Sequence, residues 1–302
     1  MSFSSLLTLG ASLIPFATIG SDVYGDAVEM PLIGAGTWQY NDTIAYQSVC
    51  QAFEAGYTFV DTAFAYGNQK GVGLAIRDCW QGKRDDLFVM TKIPGGLNAS
   101  QALGAHHQNL LELGLEYVDH LMTHYPADWK QTVASPAARQ EEWLALESIY
   151  YSGQARSIGV SHYCENHFDD IMQVASIKPS VNQVEYHVGS QDIDHVTEYC
   201  DRLGITFMSF SPLCGPCEYE PEDSLIHGNL VSEIASKHGV SGSQVALRYI
   251  VQQGIPVIPK SNSLEHIRSN LDIFGFVLSD EDMAQLSAAT KPEAEDGDCD
   301  VP

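Results

Sequence analysis

Eight short apolar runs, at 30–38, 57–63, 87–93, 118–124, 155–162, 180–186, 205–211 and 255–260, recur along the chain. Nearly every pair is separated by a segment with helical spacing of its apolar residues. A strand followed by a helix and another strand returns to the same sheet only by a crossover, so this rhythm prescribes parallel pairing with helices on the outside. Eight strands in a single domain of 302 residues fit an α/β fold of the (β/α)8 TIM-barrel type better than an open sheet. The helix ends carry recognisable signals. Asp42 is expected to cap a helix with Ala45, Val49, Ala52 and Phe53 inward and Gly56 after it. Ser135 and Pro136 open another, with Trp143, Leu146 and Tyr150 inward and Gly153 at its end; a third runs from 190 to Gly204 through Ile193, Val196, Cys200 and Leu203.

Polar residues gather near the carboxyl ends of these apolar runs: Thr37, Asp61, Lys92, His124, Ser161 with His162, Asn182 with Gln183, Ser211 and Lys260. A barrel collects those ends on one face, so the sequence predicts a polar ring there. Elsewhere the chain is strongly acidic, with 15 Lys and Arg against 39 Asp and Glu and a formal charge of -24. That balance argues against a nucleic-acid or membrane partner, and any phosphate-bearing ligand needs a local basic pocket.

Within the ring, Asp61 and Tyr66 stand five positions apart at the mouth of one apolar run. A phenol has a reference pKa of about 10, too high for easy proton release near neutrality. Lys92 from the next strand is expected to stabilise the phenolate, Asp61 to hold Lys92 charged, and His124 to place a substrate oxygen against the Tyr66 hydroxyl. Together they make a proton donor aimed at a carbonyl. No metal-binding spacing accompanies them, and a hydride-donating cofactor is the natural complement. Trp38, Tyr125 and Trp129 are candidates for the substrate wall, beside Tyr66 and His124. Trp80 and Trp143 read as helix packing, and His106-His107 as a helical pair with one member exposed.

The chain resembles the aldo-keto reductases from about residue 28 to about residue 286, on eight segments in the family's order. They are Met-Pro-Leu-Ile-Gly-Ala-Gly-Thr-Trp at 30–38, Asp-Thr-Ala-Phe-Ala-Tyr-Gly-Asn at 61–68, Thr91-Lys92, His124-Tyr-Pro, Ser-Ile-Gly-Val-Ser at 157–161, Val-Asn-Gln-Val-Glu at 181–185, Phe-Ser-Pro-Leu at 210–213 and Ile-Pro-Lys-Ser at 258–261. The resemblance implies NADPH-dependent carbonyl reduction on a (β/α)8 barrel, with Asp61, Tyr66, Lys92 and His124 as the catalytic tetrad and Tyr66 as general acid. It also implies that Ser161 and Gln183 hold the nicotinamide carboxamide with Asn182 beside them, that His162 belongs to the same cofactor site, that Phe210 stacks on the nicotinamide ring, and that Ser211 and Leu213 line the pyrophosphate. Thr37, Trp38 and Asp61 belong to the same implied cofactor site, as do Lys260, Ser261, His266 and Asn270 at the adenosine phosphate.

Three positions depart from the family pattern. His162 stands where asparagine is usual, and Gln69 where glutamate is usual. His266 replaces an arginine that would grip the 2'-phosphate, and neutral imidazole does not substitute for a permanent bidentate cation. Arg268 lies about 200° further around a helix. Weaker discrimination against NADH is therefore expected.

Residues 1–20 carry no charge and read as an N-terminal extension, 21–290 as the barrel, and 291–302 as an acidic tail with five acids among residues 293–300. The apolar start is too short and interrupted to span a membrane. The reading favours a cytoplasmic monomer acting on a small carbonyl compound; a secreted or organellar chain follows if the first 20 residues are a signal, and only then do Asn41-Asp-Thr and Asn98-Ala-Ser matter as glycosylation sites. Seven cysteines in a chain of this size favour free thiols. Cys214-Gly-Pro-Cys217 reads as two thiols in a cofactor loop, or as a redox pair whose oxidation slows cofactor exchange. A nucleotide-sensing barrel with little turnover is the alternative reading of function.

Overall fold

The computed structural model describes residues 14–190, 192, 195–213, 226–289 and 299. A hairpin of β1 (Phe16–Ser21) and antiparallel β2 (Ala27–Pro31) comes first. Seven parallel strands follow in sequential order: β3 (Ala35–Gly36), β4 (Phe59–Asp61), β5 (Phe88–Ile93), β6 (His120–Thr123), β7 (Ile158–Ser161), β8 (Val181–Glu185) and β9 (Thr206–Phe210). The eighth member is the stretch around Val257, which bridges Ile33 on one side and Ser209 on the other and closes a (β/α)8 barrel. The run at 255–260 is expected as a full strand and forms only this bridge. Pro256 and Pro259 lack an N–H, so the stretch bonds mainly through its carbonyls: Gly34 donates to Val257, Gly36 to Pro259 and Ser209 to Pro256, while Val257 N donates to the Leu32 carbonyl.

The run at 30–38 is also divided: Met30 and Pro31 end the hairpin, and only Ala35–Gly36 enters the sheet. Residues 16–20, read from sequence as part of an extension, belong to β1, and the hairpin drives Ile19, Val28 and Met30 into the barrel's interior core with Phe59, Phe88, Met90, Met122, Val181, Met208 and Ile258. Asp119, just before β6, braces the same end by accepting from Arg84 at 2.8 Å and Arg156 at 3.2 Å.

The α-helices among the described residues are α1 (Asp42–Ala55), α2 (Gln69–Cys79), α3 (Ala99–Leu113), α4 (Pro136–Tyr151), α5 (Glu165–Met172), α6 (Val196–Leu203), α7 (Asn229–His238), α8 (Gly242–Val251), α9 (Leu264–Leu271) and α10 (Asp280–Ser287). Asn41, and not Asp42, caps α1, accepting from Ile44 N at 2.9 Å; Asp42 is instead the first helical residue and accepts from Gly71 N at 2.8 Å, tying α1 to α2. Ser135 with Pro136 opens α4 as expected. The helix read from 190 is α6, which starts only at Val196, after His195 in a left-handed conformation, and ends at Gly204; part of its expected first turn lies outside the described residues. Trp143 is buried, Trp80 packs half-buried against Phe53, and His106 is buried where His107 is exposed.

The expectation of free thiols is corrected in four positions. Cys50 is joined to Cys79, linking adjacent helices α1 and α2, and Cys164 is joined to Cys299. Spacing along the chain does not reveal either pair, because tertiary packing brings the partners together across 29 and 135 residues. Cys200 is a buried free thiol, while Cys214 and Cys217 lie outside the described residues. Among the described residues no helix is long and apolar enough to cross a membrane.

Candidate active site

The catalytic candidates converge because successive strands end beside one another. Asp61 closes β4 and Lys92 lies one position from the end of β5; both side chains are buried. Lys92 Nζ meets Asp61 Oδ1 at 2.8 Å and Oδ2 at 2.7 Å, and also the Thr62 carbonyl at 3.2 Å. Its remaining contact is the Tyr66 hydroxyl oxygen at 3.3 Å. Tyr66 ends a 3-10 turn, Phe64–Tyr66, that begins three residues past Asp61 and is closed by Gly67 in the left-handed region. That turn folds the phenol back over the barrel mouth. His124 follows β6 and sets its ring edge-on to Tyr66, with centroids 5.4 Å apart.

The electrostatics set the resting protonation of these groups. Burial pushes the Tyr66 phenol well above its ordinary pKa, and the Asp61 carboxylate adds to the rise. With the Lys92 ammonium 3.3 Å from its oxygen, Tyr66 still keeps its proton in the resting state. Burial also presses Lys92 downward against the opposing pull of Asp61. His124 is driven well below the ordinary imidazole range by burial, with Lys92 and His162 adding to the fall, so at neutral pH it is a neutral ring with one N–H to give. Because Lys92 donates to the phenolic oxygen, the Tyr66 O–H is free to point at a ligand.

The residues expected at the cofactor lie around the same mouth. Buried Thr37 donates from Oγ1 to the Asp61 carbonyl at 2.9 Å. Ser161 donates to the Gln183 carbonyl at 2.7 Å. The Gln183 amide faces inward, its Nε2 3.1 Å from Asp61 Oδ2, so it supports the acid in the state described. Asn182 brackets Tyr163, accepting from its N–H at 3.3 Å and donating to its carbonyl at 2.8 Å. His162 lies between Tyr125 and Phe210, with ring centroids 5.1 and 4.9 Å away. His162 (φ 63°), Ser211 (φ 47°) and Gln39 (φ 64°) all adopt left-handed backbone at the first or third residue beyond a strand. Leu213 packs at the edge of the core that includes α7 and α8.

At the far side, exposed Lys260 reaches Gln39 Oε1 at 2.8 Å and lies over the rings of Tyr40 and Trp38, at 5.2 and 5.9 Å. Ser261 and Ser263 lead into α9; Ser263 caps it and accepts from His266 N at 3.5 Å. His266 is exposed on the first turn and Asn270 is buried one turn on. Arg268 pairs outward with Glu54 of α1 at 2.9 Å. This group of a cation, hydroxyls and a helix N-terminus suits a phosphate, while the Phe210 and His162 rings suit a flat heterocycle, so the residues present fit a nicotinamide dinucleotide.

Tyr125 and Trp129 stand beside each other at 6.3 Å, Trp129 is 90% exposed, and Trp38 and Phe64 are also exposed. Gln39, Tyr40, Phe64 and the Thr62 carbonyl were not singled out by sequence. A turn residue with positive φ or a backbone oxygen leaves no side-chain signature, although the adjacent Trp38 could have drawn attention to Gln39 and Tyr40.

A family model for the aldo/keto reductase family matches residues 32–291. Glyoxal reductase of Bacillus subtilis (strain 168) is 36% identical over 273 residues, covering 89% of this chain and 92% of the relative. Morphine 6-dehydrogenase of Pseudomonas putida is 34% identical over 271 residues, with 86% and 88% covered. Among solved structures, an aldo-keto reductase from a Medee basin deep-sea metagenome library superposes with a TM-score of 0.80 at 33% identity, covering 89% of this chain and 93% of the other. The span matched by the family model runs from β3 to α10 and includes the positions of the candidate residues described above. The chain belongs to the aldo/keto reductase family and is a carbonyl-reducing, nicotinamide-dependent oxidoreductase.

Proposed function

We propose that Tyr66 is the general acid of this reductase and that it protonates the oxygen of a small aldehyde or ketone. The observation that carries this reading is the Lys92 ammonium held by Asp61 at 2.7 Å and set 3.3 Å from the Tyr66 oxygen. His124, neutral, donates one hydrogen bond to the substrate oxygen and so orients it toward the Tyr66 O–H. Lys92 and Asp61 fix the phenolic oxygen; as the proton leaves, the buried ammonium offsets the charge that develops on it. The bound cofactor supplies hydride to the carbonyl carbon. Phe210, His162, Ser161 and the Asn182-braced loop position the nicotinamide end, and Lys260, Ser261, Asn270 and the first turn of α9 hold the phosphate end.

NADPH is the cofactor favoured by Lys260, with NADH accepted because His266 offers no permanent charge. The aromatic mouth formed by Trp38, Phe64, Tyr125 and Trp129 supports planar or small aldehydes, in keeping with a relative named for glyoxal. The formal charge of -24 supports a catalyst that works apart from nucleic acid and anionic membranes.

The test is the loss of NADPH absorbance with a panel of aldehydes, ketones and sugars, beside the Tyr66→Phe variant. The expected result is turnover reduced by about 10²–10⁴-fold in the variant with NADPH binding intact. Undiminished reduction by Tyr66→Phe removes Tyr66 from the chemistry. Cofactor binding with no turnover on any carbonyl favours a nucleotide-sensing barrel.

A further inference from the structure

Cys164 stands three residues beyond Ser161 and caps the start of α5. The residues between them are tied to β8 or α5 at every step. Ser161 Oγ and His162 N both donate to the Gln183 carbonyl, at 2.7 and 3.0 Å, and Tyr163 is bracketed by Asn182. Cys164 N donates to His167 Nδ1 at 3.1 Å. The outer end of this segment carries a different kind of tie, the covalent bond to Cys299, which crosses 135 residues of sequence. Cys299 belongs to the chain beyond α10, a helix that packs on α7. A bond between the end of the chain and the α5 cap is therefore not required to close the barrel. It fixes the loop that carries Ser161 and His162.

We propose that the Cys164–Cys299 bond is a reversible thiol-modification site, opened by a dithiol reductant, and that its opening speeds exchange of the nicotinamide cofactor. This rests on the reading of Ser161 and His162 given above. Cys299 is the more accessible partner, since Cys164 is buried. A thiolate of the dithiol attacks Cys299 Sγ; the disulfide breaks and Cys164 leaves as a thiolate that takes up a proton. The second thiol then attacks the mixed disulfide, freeing Cys299 as a thiol and closing the reductant into its own disulfide. Two electrons pass to the protein and two thiols of the reductant are oxidised. The Cys50–Cys79 bond joins two outer helices away from this loop and serves as an internal control.

The experiment uses the full chain prepared without reductant, the same protein after dithiothreitol, and protein reoxidised after that treatment. Alkylation and peptide mass mapping read which cysteines are bonded, and stopped-flow tryptophan fluorescence reads NADPH dissociation. Cys299→Ser, which retains every other cysteine, separates this bond from the Cys214 and Cys217 pair. The expected result is a dissociation rate about fivefold or more higher after reduction, of the order of ordinary coupling between sites. Reoxidation restores the slow rate, and Cys299→Ser is fast without reductant and unresponsive to it. A Cys50→Ser and Cys79→Ser double variant keeps the response.

Mapping that finds Cys164 and Cys299 free in unreduced protein overturns the proposal, as does a rate change below about twofold. So does a response that persists in Cys299→Ser. NADPH that fails to bind in either state overturns the cofactor reading itself, and the mapped thiols distinguish that failure from the others.

Discussion

Asp61→Asn isolates the buried pair on which the site is built. In the native chain two carboxylate oxygens lie 2.7 and 2.8 Å from Lys92 Nζ, with both side chains out of contact with water. At that separation the attraction is about 6 kcal/mol for an effective dielectric of about 20. The variant removes it and leaves an ammonium that burial already presses downward. Lys92 can escape by losing its proton, which at pH 7 costs roughly 4–5 kcal/mol from a reference pKa of about 10.4. The expected loss of stability is therefore about 3–5 kcal/mol, within the range for breaking one half of a buried pair. Thermal unfolding should fall by about 5–8 °C for a chain of this size.

The loss should also depend on pH. In the variant the folded-state pKa of Lys92 lies below its unfolded value, so the unfolded chain binds more protons between the two and stability rises with pH. The deficit against wild type should narrow by about 1.4 kcal/mol per pH unit between roughly pH 7 and 9. Calorimetry of both proteins across that range is the assay. A deficit that stays constant with pH refutes the charged-pair account, and one that is restored in part by adding Lys92→Met supports it.

Other outcomes follow from the same geometry. Because Tyr66 is held well above its ordinary pKa, kcat/KM for reduction should show no alkaline fall from this group through about pH 9, whereas alcohol oxidation should rise over that range; stopped-flow pH profiles read both. His266→Arg should raise the NADPH-to-NADH ratio of kcat/KM by about 10–100-fold, the worth of one charge-assisted contact. His106 is pushed down to about 4, chiefly by burial, so its neutral form stabilises the fold above pH 6.5 and that contribution is lost as pH falls through 4. Acid unfolding of His106→Asn should accordingly begin at lower pH than in wild type. Cys50→Ser with Cys79→Ser should lower stability by about 3–4 kcal/mol, from a closed loop of 29 residues, as read by urea unfolding.

The strand order and the barrel were legible because they follow from periodicity, and the gathering of Asp61, Lys92 and His124 at one mouth because polar residues stand at strand ends. Asp61, Lys92 and His124 each stand at or near the end of an apolar run, and no long-range fact is needed to place them on one face. Four things were not legible. The eighth strand reads as apolar and continuous, but Pro256 and Pro259 cost it a ladder, which only the neighbouring strands reveal. The inward turn of the Gln183 amide toward Asp61 is a rotamer choice made by the packed interior. The cysteine pairs depend on helix packing, and the Asn41 cap depends on which of two adjacent polar residues reaches the helix amides.

Gln39, His162 and Ser211 have a consequence for how this enzyme could change. Each holds a side chain in a backbone conformation that glycine adopts freely, at about 1–2 kcal/mol apiece. A selection for heat resistance alone would exchange these residues for glycine early, and would remove the Gln39 oxygen from Lys260 and the His162 ring from Phe210 as it did so. Variants with raised melting temperature and loosened cofactor grip should therefore collect at these three codons, a pattern that sequencing the survivors of such a selection would display.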